Sequence, residues 1–234
     1  MLSLQESQLF TNISSSDIEK LCACLMAYPK EIKKDSFVFQ AGDPVHNVYL
    51  ILSGSMHIIA EDFWGNRSII ETMRASTFFD EAYVFAQNEY QLVSVIAAED
   101  SVVLEMDPSA LFRDCPNNCS CHEKLVQNIV YILSKKIILL TEKLGHVIQR
   151  STREKVLSYL SLCLRKSNSN PFTIPYSRQQ LADYLCVDRS ALSHELGRLR
   201  DEGLIKFRKN QFEILNLPKY EMSDLASVQN SLPF

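Results

Sequence analysis

The chain has 234 residues, of which 46% are hydrophobic and 22% charged, and a formal net charge of −4. This is the ordinary composition of a globular protein with one or two domains. No run approaches the roughly 20 apolar residues of a membrane span, and the start lacks the basic and apolar regions of a signal peptide. We therefore expect a cytoplasmic protein with no membrane partner, and seven reduced cysteines rather than a disulfide framework.

Charge is distributed unevenly along the chain. Residues 1–149 hold 11 Lys and Arg against 19 Asp and Glu, whereas residues 150–217 hold 12 against 7. A polyanion would be repelled by the first part and attracted by the second. Chance segregation of charge is the alternative, so charge alone does not decide between the two.

Residues 1–30 are predicted to be helical. The segment SSSDIEKLCACL begins with a serine cap and places Ile18, Leu21 and Leu25 at helical spacing. Pro29 is expected to close the helix.

Residues 31–107 are predicted to form short strands. Six runs are rich in β-branched and aromatic residues: DSFVFQ, NVYLIL, SMHIIA, RSIIETM, QLVSVIAA and SVVLEM. The turn sequences AGDP, SGS and DFWGN separate them, which favours an antiparallel sandwich or a barrel-like roll. Gly42, Gly54 and Gly65 stand at chain reversals, where positive φ is expected.

Residues 121–149 are predicted to form one long helix with a heptad seam. The a positions are Val130, Ile137 and Leu144, and the d positions are Val126, Leu133, Leu140 and Val147. Mostly β-branched residues at a with Leu at the central d positions favour a parallel two-stranded coiled coil, which implies a homodimer through residues 126–147. A single buried helix without a partner is the alternative. The residues that fall off the seam and are candidates to pack on the strand domain are Ile129, Ile132, Ile138 and Leu139.

Residues 176–215 are predicted to form two short helices followed by a hairpin. Ser177 and Gln180 make a capping box, so the first helix should start at Arg178. Asp188 is an N-cap for a second helix, which should run to about Glu202. The expected buried residues are Leu181, Ala182, Leu185, Leu192, Leu196 and Leu199. The turn lies at Cys186 and Val187, the second helix stops at Gly203, and LIKFR and QFEIL make a wing around Lys209–Asn210.

This arrangement is a helix-turn-helix, whose second helix enters the major groove of DNA. Arg189 can bond guanine through two hydrogen bonds, and Ser190 can bond either kind of base edge. The full set of predicted DNA-binding residues is Arg189, Ser190, Ser193 and His194 on the second helix, and Ser177, Arg178 and Gln179 at the first. The latter group can hold phosphates. A helical hairpin with a solvated face is the alternative.

The chain resembles, over nearly its full length, the cyclic-AMP receptor and fumarate-nitrate regulator (Crp/Fnr) family of bacterial transcription factors. The resemblance rests on AGDPVHNVYLILSGSMHI, on the long helix after VLEMDPSALF, and on LADYLCVDRSALSHELGRLRDEGLI. It implies an α+β fold: an N-terminal cyclic-nucleotide-binding-like β-roll (1–120), a long dimerisation helix (121–149) and a C-terminal winged helix-turn-helix (150–234). Family members bind near-palindromic double-stranded DNA as homodimers and recruit or block RNA polymerase, and Arg189 and Ser190 match their base-reading pair.

The family's ligand cassette is altered in this chain. The family has Gly-Glu and, about ten residues later, Arg-Ser or Arg-Thr; here Asp80 precedes Glu81, and Gln91 and Leu92 replace the second pair. A buried phosphate needs a charge-assisted partner, so we predict no measurable binding of cyclic AMP. The candidate contacts for another effector, of unknown identity, are Glu81, Tyr83, Tyr90 and Gln91.

A cysteine cluster lies just before the long helix. The segment CPNNCSCH contains Cys115, Cys119, Cys121 and His122, which are residue types that bind zinc or iron. The spacing matches neither a paired CxxC zinc site nor the family's iron–sulfur regulators. A loop with free thiols is one interpretation, and a redox or metal sensor is the other.

No catalytic order of Ser, His and Asp, phosphate loop or supported pair of carboxylates is present, so we predict that the protein is not an enzyme. The sequence predicts a homodimeric, sequence-specific transcriptional regulator that responds to a small molecule or a redox signal. The competing hypothesis is a metal- or thiol-dependent protein that does not bind DNA.

Overall fold

The structure is a computed structural model that describes residues 4–61, 64, 67–112, 121–167 and 169–216. The chain divides into two compact units, residues 1–135 and residues 136–234. In the described ranges, no helix combines the length and the apolar character needed to cross a membrane.

The described part of the N-terminal unit begins at residue 4 with two 3-10 turns, which the helix α1 (Ser15–Cys24) follows. The Ser14 hydroxyl accepts a hydrogen bond from the Asp17 backbone N–H at 3.2 Å, which caps the helix as predicted. The helix ends at Cys24, so the prediction that the helix is closed by Pro29 was wrong. Pro29 lies in a strand at the edge of a sheet, where its missing N–H removes no required ladder bond.

Among the described residues of this unit, eight strands form two antiparallel four-stranded sheets. The strands are β1 (Tyr28–Ile32), β2 (Phe37–Phe39), β3 (Val48–Ser53), β4 (Ser55–Glu61), β5 (Arg67–Arg74), β6 (Phe78–Phe79), β7 (Ser94–Ala97) and β8 (Ser101–Met106). Their orders are β1-β8-β3-β6 and β2-β7-β4-β5, and the short helix α2 (Glu81–Phe85) follows β6. Each of the six predicted runs contains a strand, whereas β1, β6 and α2 were not predicted.

Strand β3 is buried on both faces. Val48, Leu50 and Leu52 belong to a core shared with α1 and the long helix α3 (Cys121–Val147). The alternate residues Tyr49 and Ile51 belong to a second core, shared with strands of the other sheet. The two-residue period of a strand therefore builds two cores from one continuous apolar run.

Helix α3 contributes only part of its apolar surface to that first core. Ile129 and Ile132 are buried there, as predicted. Ile138 and Leu139 belong to the C-terminal unit, where they are exposed at 53% and 60%, and their packing on the strands stays a prediction.

Two turns require glycine for a specific reason. Gly42 and Gly54 have φ of +94° and +86°, in agreement with the prediction. A Cβ on Gly54 would also lie 2.7 Å from the Ser101 Cβ, which is closer than real contacts allow. Gly65 lies outside the described residues.

In the described part of the C-terminal unit, the end of α3 is followed by three further helices and a small sheet. Its elements are α4 (Thr152–Ser167), β9 (Phe172–Thr173), α5 (Arg178–Leu185), α6 (Arg189–Asp201), β10 (Ile205–Arg208) and β11 (Gln211–Ile214). Strands β10 and β11 form the predicted hairpin, and β9 pairs with β11 as a third strand that was not predicted. One apolar core joins α4, α5, α6 and the sheet.

Candidate nucleic-acid interface and effector pocket

The first helix of the helix-turn-helix starts as its sequence predicts. The Gln180 backbone N–H donates to the Ser177 hydroxyl at 3.3 Å, and the Ser177 N–H donates to the Gln180 side-chain oxygen at 2.8 Å. This reciprocal capping box fixes α5 at Arg178. Asp188 has the backbone conformation of an N-cap for α6, but its side chain does not make the capping hydrogen bond that was expected.

The turn between α5 and α6 is held by its backbone and by a lysine. Cys186 has a left-handed conformation with φ of +52°, which reverses the chain after α5. The Lys155 ammonium donates to the carbonyls of Leu185 and Cys186 at 3.3 and 3.4 Å. A cation there satisfies carbonyls that a helix end leaves open. The predicted apolar stripes on α5 and α6 are fully buried: Leu181, Ala182, Leu185, Leu192, Leu196 and Leu199.

The opposite face of α6 is polar and open to solvent. Arg189, Ser190, Ser193 and His194 are all exposed. None of these four side chains has a hydrogen bond or ion pair with another described residue. Their donors and acceptors are therefore available to an external partner.

Ion pairs, two of them to the buried Glu195, fix the orientation of that face. Glu195, only 8% exposed, lies 3.2 Å from the Arg153 guanidinium and 3.5 Å from that of Arg198. Arg153 also donates to Glu202 at 3.0 Å, and this hydrogen bond lowers the pKa of Glu202. These pairs thus join Arg153 of α4 to two points of α6, one near the middle of α6 and one at its C-terminal end.

Arg178 contacts the wing. Its guanidinium lies 5.1 Å from the Phe207 ring centroid and 5.7 Å from that of Phe212, and it donates to the Lys209 carbonyl at 3.4 Å. Burial lowers the pKa of this arginine. Gln179 is exposed and donates to Asp183 at 2.8 Å. The predicted residues of α5 therefore have intramolecular partners, whereas those of α6 do not.

The wing adds basic residues that were not among the predicted site residues. Lys206, Arg208 and Lys209 are all exposed on the β10–β11 hairpin. The basic run KFRK in the sequence was the available signal.

Two carboxyl groups and an amide are buried together at the predicted effector site. Asp80, Glu81 and Gln91 are 9%, 3% and 3% exposed, and Gln91 Nε2 donates to Asp80 Oδ2 at 2.7 Å. Burial raises the pKa of Asp80 to about 7, the Gln91 hydrogen bond opposes this shift, and the Glu81 charge adds to it. Tyr83 is half-buried, whereas Tyr90 is 58% exposed. The structure thus groups Glu81 and Gln91 with Asp80, which was not among the predicted contacts.

The cysteine cluster is only partly described. Cys115 and Cys119 lie outside the described residues. The Cys121 side chain is buried in the core of the N-terminal unit, and His122 follows it at the start of α3. Within the described ranges, no group of three His, Cys, Asp or Glu residues is arranged to hold a metal ion.

The heptad seam of α3 is largely exposed. Of its seven members, Leu133 and Val147 are half-buried and the others are exposed by 41–65%: Val126, Val130, Ile137, Leu140 and Leu144. An apolar stripe of this length is unusual on the surface of a monomer.

A strand roll followed by a winged helix-turn-helix is the architecture of a class of DNA-binding transcription regulators. The chain matches the cyclic nucleotide-binding domain family over residues 29–116 and the Crp-like helix-turn-helix domain family over residues 154–221. Together these matches cover well over half of the chain. The protein belongs to the Crp/Fnr family of transcription regulators.

Curated relatives agree with this assignment. The chain is 24% identical to Electron transport regulator A of Shewanella oneidensis over 202 residues, which are 84% of this chain and 78% of that protein. It is 20% identical to the Anaerobic regulatory protein of Bacillus subtilis over 215 residues, or 90% and 88% of the two chains.

Solved structures share the fold. The c-di-GMP-responsive regulator CLP of Xanthomonas campestris aligns with a TM-score of 0.57 and 19% identity, over 87% of this chain and 100% of that chain. CprK in complex with OCPA aligns with a TM-score of 0.61 and 15% identity, over 85% and 92% of the two chains.

Proposed function

We propose that this chain is a cytoplasmic homodimer that binds a near-palindromic DNA site sequence-specifically and controls transcription in response to an effector other than cyclic AMP. The observation that carries the proposal is the face of α6 with four exposed polar side chains, opposite a fully buried apolar stripe. In this proposal residues 1–120 sense the signal, residues 121–149 dimerise and residues 150–234 bind DNA and communicate with RNA polymerase.

The roles at the DNA follow from side-chain chemistry. Arg189 and Ser190 lie in the first turn of α6, which in a helix-turn-helix reaches base edges, and Ser193 and His194 extend the same face. Ser177, Arg178 and Gln179 lie at the N-terminus of α5, where backbone N–H groups favour phosphate. The exposed basic side chains of the wing extend this positive surface.

The first experiment selects bound fragments from random duplex DNA and measures affinity for the selected site at several salt concentrations. Phosphate contacts release counterions, so affinity should fall steeply with salt. Arg189→Ala should cost about 1–3 kcal/mol on the selected site and relax discrimination at one base pair. Arg200→Ala is the matched control, because Arg200 is exposed on the same helix about 16 Å further along its axis. A flat salt response would contradict DNA binding through phosphate contacts. An equal loss for both variants on every sequence would refute base reading by Arg189.

The exposed seam of α3 supports the dimer. A two-stranded coiled coil would cover its a and d residues with the same residues of a second copy. Leu140→Glu should therefore give a monomer at micromolar concentration in analytical ultracentrifugation. Leu139→Glu is the matched control, since Leu139 is the adjacent leucine, is also exposed and lies off the seam. Equal effects of the two variants on the association constant would contradict pairing through the seam.

The pocket chemistry supports an effector other than cyclic AMP. The buried groups Asp80 and Glu81 disfavour a phosphate, and Gln91 supplies no positive charge where the family's arginine stands. The regulators with the same fold are described with c-di-GMP and OCPA, so this fold accommodates chemically different ligands. Calorimetry should detect no binding of cyclic AMP, and micromolar affinity would contradict the proposal.

The cysteine hypothesis requires a separate test, because two of its four residues lie outside the described ranges. Protein purified without oxygen would be analysed for metal, and its DNA affinity measured before and after mild oxidation. Bound metal or a redox-dependent affinity would add a thiol-based signal to the regulator.

A further inference from the structure

Asp80 and Gln91 form a buried polar pair whose geometry is fixed by the backbone. The Gln91 N–H donates to the Asp43 carbonyl at 2.8 Å, and the Gln91 carbonyl accepts from the Gly42 N–H at 2.8 Å. Gln91 Nε2 then donates to Asp80 Oδ2 at 2.7 Å. The backbone of Gln91 is therefore held at both its N–H and its carbonyl, and its side-chain amide is held at Nε2.

The pair has more acceptors than donors. Gln91 Oε1 is buried and accepts no hydrogen bond from a described residue. The Asp80 carboxylate accepts from Gln91 and from no other described residue. A buried acceptor without a donor is costly, and a buried carboxylate without a positive partner is costlier.

The groups that face Asp80 make the site more acidic. Glu81 is 3% exposed, and its charge acts on Asp80. The other titratable neighbours are Tyr49 and Tyr83, whose own pKa values are raised by burial first and by nearby carboxylates second, so both are neutral at physiological pH. No lysine or arginine is among these neighbours in the described part of the chain.

We propose that Asp80 and Gln91, with Glu81 beside them, bind a small organic cation that carries at least two N–H donors. This inference rests on the proposed function and names the chemical class of its effector: an amine, amidine or guanidine. Two parallel N–H groups of a planar cation match one carboxylate oxygen and the Gln91 oxygen, while the positive charge neutralises Asp80. A metal ion suits the site less well, because the described residues offer it no third ligand of the usual types.

The test titrates the full chain with agmatine, and separately with low-millimolar guanidinium chloride, by isothermal titration calorimetry at pH 7.5 and low salt. Both probes should bind the wild-type protein, and Asp80→Asn should bind agmatine at least tenfold more weakly. Glu89→Gln is the matched control: it removes one negative charge from an exposed side chain two residues from Gln91, and it should bind as the wild type does. At pH 6.5 binding should also release a proton, seen as a heat that varies with the ionisation enthalpy of the buffer.

Three results would overturn the inference. The first is no heat of binding with either probe at millimolar concentration. The second is equal affinity of the Asp80→Asn and Glu89→Gln variants for agmatine. The third is an affinity that falls by the same factor with rising salt in the wild type and in both variants. The same samples are assayed on the selected DNA site. Retained DNA binding without cation binding would reject only this inference, whereas cation binding without DNA binding would reject the proposed regulator.

Discussion

Replacing Asp80 with asparagine should stabilise the N-terminal unit at alkaline pH. Asp80 has φ of +70°, and asparagine is among the few residues that tolerate this left-handed conformation. The side-chain oxygen of the introduced asparagine can still accept from Gln91 Nε2, and its NH₂ group can donate to the buried Gln91 Oε1. The substitution therefore removes the charge without opening a cavity or breaking the hydrogen bond.

The sign and size follow from the pKa of Asp80, which is raised from 3.8 to about 7 in the folded protein. A group with a raised folded-state pKa contributes stability that is complete below pH 3.8 and is lost as pH rises to about 7. One pKa unit corresponds to about 1.36 kcal/mol. Between pH 5 and pH 8 the free energy of unfolding of the wild type should therefore fall by at most about 3 kcal/mol relative to that of Asp80→Asn. Partial access to solvent reduces this to about 2 kcal/mol.

Differential scanning calorimetry at pH 5 and pH 8 measures this difference. A change of about 2 kcal/mol should raise the Tm of the variant by about 4–8 °C relative to wild type at pH 8. Asp100→Asn is the opposite control, because the Lys34 backbone N–H and the Lys33 ammonium lower the pKa of the exposed Asp100 carboxyl. The Asp100→Asn variant should show no gain in Tm over the wild type at pH 8. If Asp80→Asn is no more stable than wild type at pH 8, or if its advantage is the same at both pH values, Asp80 does not titrate in this range.

Other substitutions test the packing of each unit. Leu196→Ala should destabilise the C-terminal unit by about 2–5 kcal/mol in urea, because the side chain is fully buried, and leave the N-terminal transition unchanged. Gly54→Ala should lower the Tm of the N-terminal unit, and adding Ser101→Gly should not restore it, because the Ser101 Cα would still lie 2.8 Å from the new Cβ and φ at residue 54 would stay positive. Arg178→Ala should weaken binding to every DNA sequence by a similar factor in fluorescence anisotropy; Arg178→Lys should not restore it fully, since lysine lacks the planar group that stacks on Phe207.

Local chemistry predicted the helix-turn-helix closely. The Ser177 and Gln180 capping box is a short-range signal, and it placed the start of α5 at the correct residue. Strand β1 was missed because Pro29 is typical of a helix end, although an edge strand tolerates it. Strand β9 was missed because two residues carry no periodicity of their own, and only the pairing of Phe172 with Phe212 makes them a strand.

The side-chain partners at the candidate sites could not be predicted, because they come from residues that are far apart in the sequence. Glu195 has the sequence context of a solvated residue on α6, but it is buried because Arg153, 42 positions away, pairs with it. Asp80 was recognised only as a departure from the family cassette. Its hydrogen bond to Gln91 depends on a fold that brings together residues eleven positions apart.

The stacking of Arg178 on Phe207 and Phe212 has a consequence for the evolution of DNA targets. These contacts fix the distance between the wing and α5 in the protein without DNA. New sequence preferences can then arise by exchanging side chains on α6 alone. In the proposed DNA complex, the distance between the bases that contact α6 and the phosphates that contact the wing would stay the same in all such variants.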